Sequence, residues 1–267
     1  MMTRNDKIKI LERFENKEEK ILISNILDKA YRYERENKLF HTNFLNLYEL
    51  QISTKILDSL NITYYVYTPN EFADKKVIFF LPDYIQITDD FFEEYINCIK
   101  IIPNIKNKLL HKDYMGAIYS LGIKHEMIGD IFASSNFAYV FCMKNIADYL
   151  LNNLFKVANQ EVILKNIPLT LDEVKNLSFN LEEKEYIIPS LRVDALLSNI
   201  YNLSRNNVKD KILAGDLYIN DRNIFYPNTL IKENDIVSFK RAGKLKVGST
   251  IRKTKSDNIV IKIFKYV

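Results

Sequence analysis

The stretch Leu191-Arg192-Val193-Asp194-Ala195-Leu196-Leu197-Ser198-Asn199-Ile200 puts Val193, Leu196, Leu197 and Ile200 at i, i+3, i+4 and i+7, one apolar helix face with Arg192 at its start. Leu203-Ser204-Arg205-Asn206-Asn207-Val208 opens a second helix, with Ser204 as N-cap and with Leu203 and Val208 at the spacing of a hydrophobic staple. Gly215 ends it. Arg205 and Lys209, four residues apart, share a face that is not the apolar face of Val208 and Ile212, and the unpaired amides of the helix start add to the pull on a phosphate. Beyond Gly215, Leu217 and Ile219 alternate with Tyr218 and Asn220 as a strand. Turns at Asp221-Arg222-Asn223 and Lys232-Glu233-Asn234-Asp235 then lead into a strand at 236–240. Two helices packed on a small twisted sheet are expected for residues 188–267. The alternation of Ile259, Ile261 and Ile263 with Val260, Lys262 and Phe264 predicts a β-hairpin about Ser256-Asp257-Asn258, an edge hairpin that its lysines keep soluble.

Upstream, residues 166–187, with Pro168 and the acidic run Glu182, Glu183 and Glu185, read as a linker. Residues 93–165 follow the order strand (98–102), helix (111–121, stopped by Gly122), strands (130–133 and 138–143), helix (145–155) and strand (161–165). That βαββαβ order predicts a ferredoxin-like sheet with both helices on one face. Such sheets often present their bare face to RNA; most of the 17 Tyr and 16 Phe residues fall at core spacing, with a stacking platform at Tyr139 or Phe141 as the alternative. Residues 1–92 read as an α/β unit: two or three helices before residue 60, then strands at 62–67 and 77–81. The first 115 residues contain no glycine, so turns there must use Asn, Asp and Pro. The fold class is α+β, and 267 residues at roughly 150 per domain fit two or three units.

The net charge of +4 is too weak to name a polyanion partner, but it is unevenly placed. Residues 186–267 hold 15 basic and 7 acidic side chains, and the whole excess falls in 240–267, with 9 against 1. A local basic excess is the electrostatic footprint of nucleic-acid binding. The longest run free of Asp, Glu, Lys and Arg is 13 residues, Ile131 to Met143, which is short of a membrane span. Met1 to Lys7 does not open a secretory signal. Cys98 and Cys142 make no disulfide framework and fit buried apolar positions in a reducing cytoplasm. His41, His111 and His125 are too scattered for a metal site, and no cofactor is expected.

Arg192-Val193-Asp194, Asn202-Leu203-Ser204-Arg205, Gly215-Asp216-Leu217-Tyr218-Ile219-Asn220 and Glu233-Asn234-Asp235-Ile236-Val237 together resemble the alpha-L RNA-binding motif, the fold named for small-subunit ribosomal protein S-four. His111-Lys112-Asp113, Gly116-Ala117, Leu121-Gly122-Ile123-Lys124 and Ile128-Gly129-Asp130-Ile131, placed ahead of such a motif, resemble the bacterial YlmH family of RNA-binding proteins. That resemblance implies an amino-terminal α/β domain, a central ferredoxin-like domain and a terminal alpha-L domain. It also implies a ribosome-associated protein that binds ribosomal RNA and tRNA at the large ribosomal subunit in quality control of stalled translation; a cytoplasmic location and a monomer when free are expected besides.

The RNA contacts so implied are Arg192, Ser204, Arg205, Lys209 and Asn220, joined by Arg241, Lys244 and Lys246 of the basic tail. A secondary set in the central domain is Lys112, Lys124 and His125. The chain departs from the family at Tyr218 and His125, where members often carry a basic residue, and near Ser134-Ser135 and Ala158-Asn159. No catalytic residue is expected. An RNA-modifying enzyme of the pseudouridine synthase or methyltransferase kind would need a GxG loop or a GRLD-type loop, and the sequence has neither. A cell-division adaptor using the acidic amino-terminal unit is the remaining alternative.

Overall fold

The computed structural model describes residues 4–104, 109–134 and 136–266 of an α+β chain, which divides into two compact units, 1–178 and 179–267. Met1 to Thr3 and Ser135 lie outside the described residues. Among those described, no helix is long and apolar enough to cross a membrane.

The first unit begins with α1 (Arg4–Leu11), α2 (Lys17–Glu36), β1 (Phe40–His41), α3 (Leu47–Ser59), β2 (Tyr65–Tyr67) and β3 (Val77–Phe80). Asparagine does the work that glycine does elsewhere. Asn16 caps α2, Asn46 and Glu49 form a capping box on α3, and Asn37 and Asn61 take the left-handed turns at φ 48 and 53. A three-stranded sheet runs in the order β1-β3-β2, with every residue of β3 buried.

The unit continues with β4 (Ile96–Pro103), α4 (His111–Ser120), β5 (Ile128–Ala133), β6 (Ala138–Met143), α5 (Lys144–Asn153), β7 (Lys156–Val157), β8 (Gln160–Ile167) and a short α6 (Asp172–Lys175). These strands form an antiparallel sheet, β5-β6-β4-β8-β7, in which the two-residue β7 is an addition to the expected four. Tyr114 and Ile118 of α4 and Ala147 and Leu150 of α5 share one core with Ile99, Ile101 and Val140.

The opposite face of this sheet is not bare, which rules out the alternative of a stacking platform there and leaves Tyr139 and Phe141 as core residues. Tyr139 and Phe141 are both buried. The space over Gly129 is taken by Phe44, whose ring carbon lies 2.8 Å from where a Cβ would be. Tyr139 Oη donates to Glu173 at 2.6 Å, and Lys100 donates to the same carboxylate at 3.2 Å. The expected cut at residue 92 is likewise bridged. Phe44 N–H donates to Glu126 O at 2.9 Å, Lys75 N–H to Asp130 Oδ2 at 2.9 Å, and Lys75 Nζ to Ile128 O at 2.7 Å.

The second unit contains β9 (Leu181–Ile188), α7 (Val193–Tyr201), α8 (Arg205–Leu213), β10 (Leu217–Ile219), β11 (Arg222–Ile224), β12 (Ile236–Phe239), β13 (Gly243–Lys253) and β14 (Ile259–Tyr266). Asn202 ends α7 at φ 53, and Gly215 follows α8 at φ 83. Both helices pack on one face of an antiparallel sheet in the order β11-β10-β12-β13-β14-β9, around Leu196, Leu197, Val208, Ile212, Val237, Leu245 and Ile263.

Here the linker expectation at 166–187 fails. Residues 181–188 are a strand that pairs along the whole of β14, from Leu181 opposite Tyr266 to Ile188 opposite Ile259. Charge explains the match, because the acidic run lies against the basic hairpin. Glu183 pairs with Lys262 at 2.7 Å, and Glu182 stands opposite Lys265. The β13–β14 hairpin is therefore interior to the sheet rather than its edge, and β9 satisfies the backbone groups that β14 would otherwise expose.

Candidate nucleic-acid interface

The two helix starts of the second unit are built differently. At α8, Ser204 Oγ accepts from Asn207 N–H at 3.2 Å, so this hydroxyl, expected on RNA, caps the helix. At α7, Arg192 occupies the N-cap position without capping. Its guanidinium instead grips Asp194 as a fork, Nε to Oδ1 at 3.0 Å and Nη2 to Oδ2 at 2.9 Å.

The Asp194 side chain is 1% exposed and that of Arg192 is 40% exposed, so a buried carboxylate holds a guanidinium at the surface. Burial alone would raise the Asp194 carboxyl. The hydrogen bonds and charge of Arg192, with the charge of Arg205, outweigh it and hold the group below its ordinary value. Arg205, exposed at the first position of α8, is near enough for its charge to act on that carboxylate. Lys209, half-buried, follows Arg205 by one turn of α8.

The remaining expected contacts are distributed elsewhere. Asn220, at φ 51, donates from Nδ2 to Asp235 Oδ1 and accepts at Oδ1 from Ile236 N–H, both at 2.8 Å. It stands at the end of β10, as expected, and its side chain ties β10 to β12. Leu245 and Val247 of β13 point into the helix-packed core, so Lys244 and Lys246 stand on the other face of the sheet. There Lys244 Nζ lies 4.9 Å from the ring centre of Tyr266 and 5.9 Å from that of Phe179, and Lys246 lies opposite Phe264. Arg241 is exposed in the β12–β13 turn at φ 62. The structure thus sets Arg192 and Arg205 at the starts of α7 and α8, Lys244 and Lys246 on the sheet face away from those helices, and Arg241 at a strand turn.

In the first unit Lys112 is exposed at the start of α4, while Lys124 and His125 are exposed beyond its end. About one helix length separates them. The His125 ring packs 4.0 Å from that of Tyr119. Both cysteines are buried, and burial pushes the Cys142 thiol up to about 12 and the Cys98 thiol higher still. Among the described residues, no three His, Cys, Asp or Glu side chains group so as to hold a metal.

The sequence reading missed the β11–β12 loop, which is tied to the start of α7. Val193 N–H donates to Thr229 O at 2.9 Å, Asp194 N–H to Pro227 O at 3.3 Å, and Ile231 N–H to Leu191 O at 2.9 Å. The available signal was Phe225-Tyr226-Pro227, an aromatic pair ahead of a proline within a turn-rich segment.

Residues 90–171 match the family described as "Putative RNA-binding domain in YlmH". Over 241 residues the chain is 21% identical to the ribosome-associated protein quality control protein P2 of Bacillus subtilis (strain 168), an alignment covering 90% of this chain and 93% of that one. A solved structure, the cell division protein ylmH from Streptococcus pneumoniae, aligns with a TM-score of 0.49 and 18% identity, covering 59% of this chain and 95% of its own.

Proposed function

Because the chain carries the YlmH-type RNA-binding domain over residues 90–171, we propose that it is a non-enzymatic RNA-binding protein that docks on structured ribosomal RNA or tRNA. Its place of action is the large ribosomal subunit, in translation or the quality control of stalled ribosomes. The family match carries this reading. Similarity along 90% of the chain to a relative named for ribosome-associated quality control supports the ribosomal setting.

The domain reading has its own support. In the central sheet the first, second, third and fourth long strands lie in the order 2-3-1-4 with two helices on one face, as a ferredoxin-like domain requires. In the second unit, two short helices followed by β10–β12 fit the alpha-L pattern.

Arg192 and Arg205 are the phosphate contacts in this reading. Asp194 fixes the Arg192 fork, and a guanidinium carries more N–H donors than the two bonds to Asp194 use. Lys209, Arg241, Lys244 and Lys246 add attraction without base readout, and Lys112, Lys124 and His125 form a separate contact. Recognition then rests on RNA shape, and affinity falls steeply with salt.

Sedimentation of cell extract through sucrose gradients tests the proposal. The protein should travel with large subunits at low salt and leave them at high salt, and Arg205→Ala with Lys209→Ala should move it to the top. Wild-type protein at the top of the low-salt gradient would overturn the reading.

A further inference from the structure

Between β11 and β12, Phe225, Tyr226 and Leu230 are 50%, 74% and 65% exposed, apolar surface that folding leaves in water. The backbone beneath them is fixed. Besides its three bonds to the α7 start, Thr229 N–H and Thr229 Oγ1 donate to Tyr226 O at 3.1 and 2.7 Å, closing the loop on itself. Pro227 restricts Tyr226 to extended geometry. Phe225 lies over Gly215, 3.2 Å from where a Cβ would stand, and Leu230 bridges to the backbone of Arg192. Tyr226 is thus an exposed ring on a pinned backbone, one residue from the carbonyl that caps Asp194 N–H. Arg192 stands at that place, its backbone bridged to Leu230 and its carboxylate partner Asp194 buried, and the charge of Arg205 reaches the same carboxylate.

We propose that Tyr226 is a stacking residue for an unpaired RNA base whose backbone phosphates meet Arg192 and Arg205. The proposal rests on the RNA-binding reading and makes it more specific: the second unit takes RNA at a loop, bulge or junction where a base is free to leave the helix, rather than along an uninterrupted duplex. An aromatic face accepts any base, so the contact selects for unpaired structure and not for sequence. An exposed ring on a loop whose backbone is tied to that of Arg192 suits a ligand that presents a flat π-face and an anion together, which a nucleotide does. An apolar protein surface would make no use of the guanidinium donors that the two bonds to Asp194 leave over.

The test uses the full chain and two labelled RNAs, a hairpin with 2-aminopurine in an unpaired loop and a fully paired duplex of equal charge. Tyr226→Ala should weaken the hairpin by roughly tenfold and abolish the quenching of 2-aminopurine, with duplex affinity and salt slope unchanged. Tyr226→Phe should retain both hairpin affinity and quenching. Arg205→Ala should weaken hairpin and duplex alike and lower the salt slope by about one. If Tyr226→Ala binds the hairpin like wild type while Arg205→Ala weakens both RNAs, the stacking proposal is overturned, the RNA reading stands, and the loop faces a protein instead. Equal losses on hairpin and duplex from Tyr226→Ala would mark a merely structural ring and also overturn it. Wild-type protein that binds neither RNA would bring down both readings together.

Discussion

Replacing Asn220 distinguishes a residue that builds the sheet from one that touches RNA. Its side chain donates to Asp235 and accepts from Ile236 N–H, and its backbone sits at φ 51. Asn220→Gly removes two hydrogen bonds at about 1 kcal/mol each while keeping a residue at ease in the left-handed region, a loss of about 2 kcal/mol. Asn220→Ala adds roughly 1 kcal/mol for holding an ordinary side chain there, about 3 kcal/mol in all. The chain has no tryptophan to report locally, so the measurement is amide hydrogen exchange in β10 and β12 across a denaturant series. RNA affinity, measured where both variants are folded, should stay within about twofold of wild type, under 0.5 kcal/mol. Protection unchanged to within about 0.5 kcal/mol in both variants would refute the structural role. Full protection combined with lost RNA binding would return Asn220 to the interface.

Other perturbations probe different parts of the chain. A Cβ on Gly116, within α4, meets nothing within 4 Å, so Gly116→Ala should raise the stability of the first unit by about 0.5–1 kcal/mol. Gly129→Ala drives a methyl into Phe44 and Phe141 and should lower it by about 1–3 kcal/mol, both read by urea denaturation. Burial holds the His41 imidazole below its ordinary pKa, against a partial opposing effect of its hydrogen bond to Thr42 O. The folded state therefore binds this proton less readily than the unfolded chain, and stability should fall as pH drops below the unfolded value of about 6.5, a slope that His41→Asn should flatten. Asp194 is also depressed, so its contribution is present above the ordinary carboxylate range and lost only as pH falls through the lower folded value. Arg192→Ala should move the acid-unfolding midpoint of the second unit to higher pH, while Arg205→Ala should move it less.

The sequence made the second unit's helices legible because Val193, Leu196, Leu197 and Ile200 form an uninterrupted 3.6-residue pattern and Ser204 is an unambiguous cap. The hairpin turn at 254–258 was legible for the same reason, with period-2 alternation meeting Asp257, which adopts φ 62. Strand β9 was not legible. Its Glu-Glu-Lys-Glu core has poor strand propensity, and its pairing depends on a distant lysine-rich partner that no local window contains. The cover over Tyr139 and Phe141 was hidden similarly, because Phe44 and Glu173 reach that face from remote segments. Within the site, residue types gave the charges, and of their partners only nearby ones such as Asp194. Arg192 and Asp194 are two apart in sequence and bonded, whereas Ser204 and Asn220, which suit RNA equally well, are occupied by the backbone around them.

Strand β9 is made before α7, yet its neighbour β14 is the last strand of the sheet to be synthesised. Throughout that interval the β9 segment lacks the partner that it has in the sheet, and pairings of such long sequence separation are slow to form. A waiting strand of Val and Ile would be a template for wrong pairing, in cis or with another copy. Glu182, Glu183 and Glu185 are of the residue type that disfavours such wrong pairing, because like charges repel, while Lys262 and Lys265 of β14 offer them opposite charge. The composition that made the segment look like a linker is what lets it remain single until its partner exists.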